Sequence, residues 1–473
     1  MKNHKKGRFL CLFCLILALT PLLGMLVFGP GAALSNERPA AKPQLVKAGK
    51  PNLDVLSETA DYLAGGFFLR PQLVTLNSLV QAAGFGESAG GDVVLGTDGW
   101  LYYAETLADF QGTSPMTARE IFCAAKNLSL LQEYCEANGT RFMFVCAPNK
   151  NTIYPAFMPD QYRKTEAVSD LDRLEAALDR AGVSYCDVRG VLTNREALTY
   201  YKTDSHWNGY GSHLAAAEIL RALGKGGPNE NETLDAKTHA GDLYKMLYPA
   251  SSKEEAAPAL ARTRSFSYVS DVRGPDDQFI ETQSNADGTL FVFRDSFGNA
   301  LHEDLAEAFG KAAFSRAMPY DASLVEAMPD VLIAEIAQRN LRWLAQRPPL
   351  IAAPERTAPD DPQKASETVS VTVSGSKLEA LRCYEGGFSF ELPDEARVYF
   401  SVDGQWFEAG LTANGFRLLA PAGEMLRLAA EIDGNWTEYD VKTAGGYTSP
   451  IFFAEKFLKS GQDKREQLFC GLV

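Results

Sequence analysis

The sequence predicts an α/β domain with a mostly parallel sheet flanked by helices, followed by a small all-β, sandwich-like domain. Three observations carry this. Between about residues 91 and 350, short continuous apolar runs alternate with segments of helical spacing. That is the pattern of strands buried on both faces and joined by crossover helices. From Pro348 the composition turns Pro- and charge-rich, "PPLIAAPERTAPDDPQKASE". Beyond it the apolar period falls to two, with Asp-Gly turns between runs, which suits a β-sandwich. At 473 residues the chain is also too long for one ordinary core.

The N-terminal unit is 1–35. Lys2, Lys5, Lys6 and Arg8 precede an apolar run from Phe9 to Phe28, interrupted only by Thr20, Pro21 and Gly24. A membrane span needs about 20 apolar residues, and the basic flank keeps this end in the cytoplasm, so the remainder is expected outside it. The competing reading is a signal peptide cleaved near Ala33 in "GAALS". Residues 36–90 read as a stalk rich in Pro, Ala, Lys and Asn, followed by a helix over about Asp61–Gln81.

In 91–350, "DVVLGTDGWLYYAE" predicts two short strands around a Thr97-Asp98-Gly99 turn. "MTAREIFCAAKNLSLLQEYCEANG" has helical spacing and stops at Gly139. "RFMFVCAP" is a buried strand, and "VSDLDRLEAALDRAG" a helix capped at Ser169. Then come strand "VSYCDV", helix "GYGSHLAAAEILRALG", strand "GTLFVF", helix "SFGNALHEDLAEAFG", strand "DVLIAEI" and helix "AQRNLRWLAQ". Residues 351–368 read as a linker. In 369–473 the strand-like runs turn at Asp403-Gly404 and Asp433-Gly434.

The net charge of −14, from 60 acidic and 46 basic residues, argues against sequence-independent nucleic-acid binding, which needs a basic face. Eight cysteines are present. Cys11 and Cys14 lie in the apolar run, and the others form no C-x-x-C pair. Cys146 and Cys186 read as buried small hydrophobes. In an export compartment Cys123 could pair with Cys135, or Cys383 with Cys470. Nothing in the sequence indicates a metal or organic cofactor.

The chemistry concentrates in two stretches. In "TLFVFRDSFGNALHEDL" an apolar strand, Thr289 to Phe293, runs into Arg294-Asp295-Ser296 and then a helix. Functional groups gather at the carboxyl ends of parallel strands, and a helix N-terminus offers N–H groups and a favourable dipole to a developing oxyanion. A serine nucleophile needs a base, and the base an orienter. "TDSHWN" supplies them: Asp204 fixes the Nδ1–H tautomer of His206, leaving Nε2 to take the Ser296 proton. The structural readings are that Asp295-Ser296 caps a helix and that Asp-x-His only stabilises a turn. Of the five histidines, His213 reads as core or surface, and His239 and His302 have no comparable partner.

Several blocks together resemble the SGNH-type polysaccharide O-acetyltransferases, the alginate O-acetylase group and its "DHHW" relatives. "VLGTDGWLYYAE" is similar to their opening block, "APNKNTIYPAFMP" to their P-N-K block, "TDSHWN" to their D-x-H-W motif, "FRDSFG" to their serine block and "PDVLIAEIAQRNL" to their closing strand. The blocks keep the family's order over about residues 36–350. The resemblance implies a circularly permuted SGNH-hydrolase-like fold, with Asp204 as orienter, His206 as base and Ser296 as nucleophile. It also implies an extracytoplasmic enzyme that takes its acyl group from a membrane-bound O-acyltransferase. Two departures stand out. Ser205 replaces the first His of D-H-H-W, and Arg294 replaces the Gly whose N–H assists the oxyanion elsewhere. Asn149 is the expected substitute donor. Lys150 and Arg294 could hold a carboxylated or hydroxylated sugar, and Trp207 could stack on one. Trp406, Trp436 and Tyr439 could form a glycan platform, although in a small sandwich such aromatics are more often core.

The expected protein is therefore a single-pass, membrane-anchored extracytoplasmic O-acetyltransferase that acetylates polysaccharide hydroxyls through an acetyl-serine. An acetylesterase uses the same triad with water as acceptor. A catalytically silent glycan-binding or scaffold protein is the reading from a different class.

Overall fold

The computed structural model describes residues 12, 15–16, 19–34, 40–47, 49–165, 167–226, 233–261, 264–269, 271–378 and 380–443. The expected anchor Phe9–Phe28 falls partly outside these residues. Among the described residues no helix is long and apolar enough to cross a membrane. In place of one helix over Asp61–Gln81 there are two, α1 (Val55–Gly66) and α2 (Arg70–Phe85). The break comes where Leu69 adopts φ 62, a left-handed value that ends a helix, and Pro71 starts the next.

Strands β1 (Val93–Leu95) and β2 (Leu101–Tyr103) form the expected hairpin, turning through Asp98 and Gly99 at positive φ. Helix α3 (Ala118–Ala137) starts with a capping box between Thr117 and Glu120. Then follow β3 (Arg141–Ala147), α4 (Asp170–Ala181, capped by Ser169), β4 (Tyr185–Cys186) and α5 (Gly209–Ala222). Strands β5 (Leu234–His239) and β6 (Glu255–Leu260) pair as an antiparallel ribbon on either side of α6 (Asp242–Leu247). The domain continues with β7 (Phe266–Tyr268), β8 (Phe279–Ser284), β9 (Thr289–Phe293), α7 (Gly298–Ala308), β10 (Lys311–Ser315) and β11 (Val331–Ala337).

The main sheet runs β4-β3-β11-β9-β10-β8-β7. The first five strands are parallel; β8 and β7 join antiparallel at one edge. Strand alternation divides the apolar runs between two cores. Phe142, Phe144, Phe291, Phe293 and Leu332 face a cluster with α3 and α4. Met143, Val145, Leu290, Val292 and Ile333 face a cluster with α5 and α7. Both faces are covered, which is why these strands read as unbroken apolar runs.

Among the described residues, to Thr443, the C-terminal part forms one sheet in place of the expected two-sheet sandwich. Its strands are β12 (Glu355–Arg356), β13 (Gln363–Gly375), β14 (Leu381–Gly387), β15 (Arg397–Val402), β16 (Gln405–Glu408), β17 (Gly410–Thr412), β18 (Gly415–Pro421), β19 (Leu426–Ile432) and β20 (Asn435–Thr443). They pair in the order β12-β16-β15-β19-β20-β13-β14-β18-β17. Strands β17 and β18 at one end touch β15 near the other, so the sheet curls into a half-barrel around its own core. Asp403-Gly404 and Asp433-Gly434 make the expected hairpin turns at positive φ. The expected linker 351–368 is corrected: β12 and the first residues of β13 lie within it and pair into the sheet. The suggested Cys123–Cys135 disulfide is absent. Both are buried free thiols, as are Cys146 and Cys186; Cys383 is also free, and Cys470 lies outside the described residues.

Candidate active site

Asp204, Ser205 and His206 sit in a tight loop between β4 and α5. The loop closes where Tyr200 and Trp207 bridge, with Tyr201 N donating to His206 O. Asn208 then caps α5, its side chain accepting from Tyr210 N and Gly211 N. A buried lysine and a half-buried glutamate brace the loop from below. The Lys150 ammonium donates to the carbonyls of Tyr201, Lys202 and Asp204 at 3.2, 3.0 and 2.6 Å. Glu255, at the start of β6, accepts from Lys202 N and Thr203 N.

Ser296 follows β9 at the carboxyl edge of the parallel strands. Its turn is pinned by Asp295, whose carboxylate accepts from Phe297 N (2.9 Å), Ala337 N (2.8 Å) and Asn340 Nδ2 (3.0 Å). Those bonds tie the serine turn to the end of β11. Beneath it Glu335 is buried and accepts from Asp295 N at 2.9 Å. Burial, with the Asp295 charge next, pushes the Glu335 carboxyl well up.

These two segments meet. His206 Nε2 lies 2.9 Å from Ser296 Oγ, and His206 Nδ1 lies 2.7 Å from Asp204 Oδ1. The carboxylate accepts the Nδ1–H, which leaves Nε2 as the acceptor for the serine hydroxyl proton. The Phe297 ring packs 4.8 Å from the imidazole, centroid to centroid, and limits its rotation. Asp204 is buried. Burial alone would raise its carboxyl, but hydrogen bonds from His206 and His239 outweigh it and hold the group well below the usual carboxylate range.

The substrate residues expected from the sequence fare differently. Trp207 is 1% exposed, with Nε1 donating to Phe297 O at 3.1 Å and its ring edge-on to Phe297. It packs beneath the serine turn and has no free face for a sugar. Lys150 is 3% exposed with its three donors on backbone carbonyls, and burial draws its ammonium down to about 8. Arg294 is equally buried; it donates to Asn299, to Pro275 O (2.9 Å) and to Asp277 O (2.8 Å), and burial lowers it to about 10. Both are internal braces, not sugar ligands. Asn149 is buried, its N–H on Gln338 Oε1 at 3.0 Å and its Nδ2 towards Asp109 at 3.5 Å. It makes no hydrogen bond to Ser296 or His206. In the half-barrel Trp406 and Tyr439 are buried and Trp436 packs on Tyr399, so these aromatics are core, the reading favoured over a glycan platform.

Three further residues belong to the site: Arg339 and Asp242 were not singled out from the sequence, and His239, read there as lacking a comparable partner, has one in Asp204. Arg339, just after β11, places Nη2 3.4 Å from Ser296 Oγ, with its guanidinium over the Phe297 ring. Asp242, at the start of α6, accepts from Ser205 N (2.7 Å) and Ser205 Oγ (2.6 Å), and its carboxylate reaches within 3.6 Å of His206 Nδ1. His239, at the end of β5, donates from Nε2 to Asp204 Oδ2 at 2.7 Å. Asp204, His206 and Asp242 have the composition of a metal-ligating group and bring ligand atoms within 4.8 Å of one another. Asp204, however, spends both oxygens on N–H donors: His206 N and Nδ1 on one, His239 Nε2 and Asp242 N on the other.

Residues 93–313 match the family described as the SGNH hydrolase-like domain of acetyltransferase AlgX. A curated relative, the probable alginate O-acetylase AlgJ of Pseudomonas syringae pv. tomato, is 26% identical over 167 residues, covering 33% of this chain and 41% of that protein. The chain thus spans well under two thirds of that relative's length. Among solved structures, the O-acetyltransferase domain of Pseudomonas putida AlgJ aligns over 54% of this chain and 97% of its own, with TM-score 0.35 and 18% identity. Bacillus cereus PatB1 with a sulfonyl adduct aligns over 53% and 96%, with TM-score 0.42 and 17% identity. Pseudomonas aeruginosa AlgX aligns over 71% and 87%, with TM-score 0.35 and 14% identity.

Proposed function

We propose that the SGNH hydrolase-like domain this chain carries, of the acetyltransferase AlgX family, moves acetyl groups onto polysaccharide hydroxyls through an acetyl-Ser296 intermediate. The observation that carries this reading is the unbroken line Ser296 Oγ, His206 Nε2, His206 Nδ1, Asp204 Oδ1, with links of 2.9 and 2.7 Å. His206 takes the Ser296 proton as Oγ bonds to the acetyl carbon, and returns it to the departing donor group. A sugar hydroxyl then gives its proton to His206 and attacks the same carbon. The C–Oγ bond breaks and Ser296 recovers a proton. The oxyanion of each addition step faces the N-terminus of α7 and the Arg339 guanidinium, a donor in place of the Gly that is absent at position 294.

The polysaccharide acceptor follows from the kinship with alginate O-acetylases. A membrane-bound O-acyltransferase supplies the acetyl group in this proposal, as the family resemblance implies. In this reading the apolar run Phe9–Phe28 anchors the chain in the cell membrane with the catalytic domain outside, and the order Asp-His before Ser marks a circularly permuted arrangement. The test is to incubate the full chain with a small activated acetyl ester, quench in acid and map acetyl groups by peptide mass spectrometry. Acetyl on Ser296, absent from His206→Ala and discharged onto an added oligosaccharide, is the expected result. Discharge to water alone would make the protein an acetylesterase. No acetyl on the folded wild type would overturn the acyl-enzyme reading.

A further inference from the structure

The catalytic carboxylate has two imidazoles on it, and the mechanism above uses only one. Asp204 Oδ1 takes His206 Nδ1 and Asp204 Oδ2 takes His239 Nε2, each at 2.7 Å. His239 is not a loose surface group. It ends β5 directly opposite Glu255 of β6, and its ring stacks on Tyr201 at 4.0 Å with 23° between the planes. Gly241, two residues on, fits only because it lacks a side chain: a Cβ there would lie 2.2 Å from Thr203 O. The ribbon is thereby held against the Asp204 loop.

We propose that His239 is a positioning residue that shares Asp204 with His206, fixing the carboxylate and keeping His206 available as a base at lower pH than a simple triad would. The inference rests on the acyl-transfer reading of Ser296. Its physical basis is that one carboxylate, hydrogen-bonded to both rings, cannot fully support two imidazolium ions. A protonated His239 draws on the Asp204 charge and disfavours a second proton on His206. The charged groups facing His239 are Asp204 in the loop, Asp242 at the start of α6 and Glu255 across the ribbon, with His206 beyond Asp204 and the Lys150 ammonium on the Asp204 carbonyl. Burial would lower His239, but the Asp204 hydrogen bond and these carboxylates outweigh it and raise it. Ring and carboxylate therefore hold each other as a hydrogen-bonded pair.

Two variants separate the roles. His239→Gln keeps an N–H donor for Asp204 and removes the charge; His239→Ala removes both. Acetyl-ester turnover by the full chain would be followed against pH. The acid limb of kcat/KM is expected to move upward by about half a unit to one unit in both variants. On the plateau the Gln variant should stay within about threefold of wild type, and the Ala variant should fall about tenfold. A purely structural histidine would lower the plateau without moving the limb, and that result overturns the proposal. A readout independent of turnover is the ring titration of His206, followed by NMR on chain labelled at histidine. Its midpoint should lie higher in His239→Gln than in wild type, and coincident midpoints would overturn the proposal. If wild type forms no acetyl-Ser296, the acyl-transfer reading fails, and the ring titration still decides whether the two histidines share Asp204.

Discussion

Asp204 is the residue on which the site converges, and its chemistry fixes what its loss would do. Asparagine has nearly the same shape but no charge, and presents an amide where His206 Nδ1 needs an acceptor. The imidazole would turn over or lose its proton-accepting Nε2. Asp204→Asn is therefore expected to lower kcat for acetyl transfer by roughly 10³- to 10⁴-fold while the fold persists. Steady-state turnover, alongside near-ultraviolet circular dichroism, checks this; a loss under tenfold would remove Asp204 from the orienter role. At this scale the sequence was legible where chemistry is local. Asp204 and His206 are two residues apart, and Ser296 stands at the end of an apolar strand before a helix. His239 and Arg339 were not legible, since each meets the site through a turn or a ribbon that brings distant residues together. Lys150 and Arg294 were misread for a related reason. A basic residue beside a motif resembles a ligand until the surrounding backbone shows its donors already on carbonyls.

Helix α7, which follows Ser296, is held to the sheet edge by His302. That ring is 1% exposed; Nδ1 donates to Asn299 O at 2.7 Å and Nε2 accepts from Tyr268 OH at 2.9 Å. Burial lowers His302 to about 4. Between that value and the ordinary 6.5 the unfolded chain binds a proton that the folded one does not. The contribution of neutral His302 is thus complete above pH 6.5 and lost as the pH falls towards 4. Urea unfolding of wild type and His302→Gln at pH 7 and near pH 4.5 should show their stability difference shifting by about 2 kcal/mol in the variant's favour on acidification. An unchanged difference would mean that His302 does not titrate in this way. Tyr268 also marks where strand prediction failed. The five parallel strands announce themselves because both faces are apolar. Phe266–Tyr268 and Phe279–Ser284 lie at the antiparallel edge, with polar residues interleaved, and their short mixed runs carry no such signal.

The whole molecule is less divided than its sequence suggests. The composition shift at Pro348 is real, yet β12 and β13 begin inside the expected linker, and the half-barrel core is continuous with the α3 side of the α/β core. Periodicity reports which face of a strand is buried, not against what, so a sandwich and a curled single sheet look alike in sequence. The seam is polar where it is most specific. Asn127 of α3 donates to Leu344 O (2.7 Å) and Leu411 O (2.8 Å), and accepts from Leu411 N (2.8 Å), all buried. Arg119 donates to Ala396 O, and Arg356 bridges Glu133 and Glu408. Asn127→Ala leaves buried carbonyls and an N–H without partners, an expected loss of about 2–4 kcal/mol. With one shared core, that loss should reach both halves. Hydrogen exchange should show amides of β9 and β11 and those of β15 and β19 losing protection together, in one cooperative unit. Early, independent exchange of the half-barrel strands would show instead that it is a separate module. The distinction bears on catalysis, because α3 packs on one face of the sheet whose strand ends carry Ser296 and Arg339. A half-barrel that unfolds with that sheet is part of what holds the nucleophile in place.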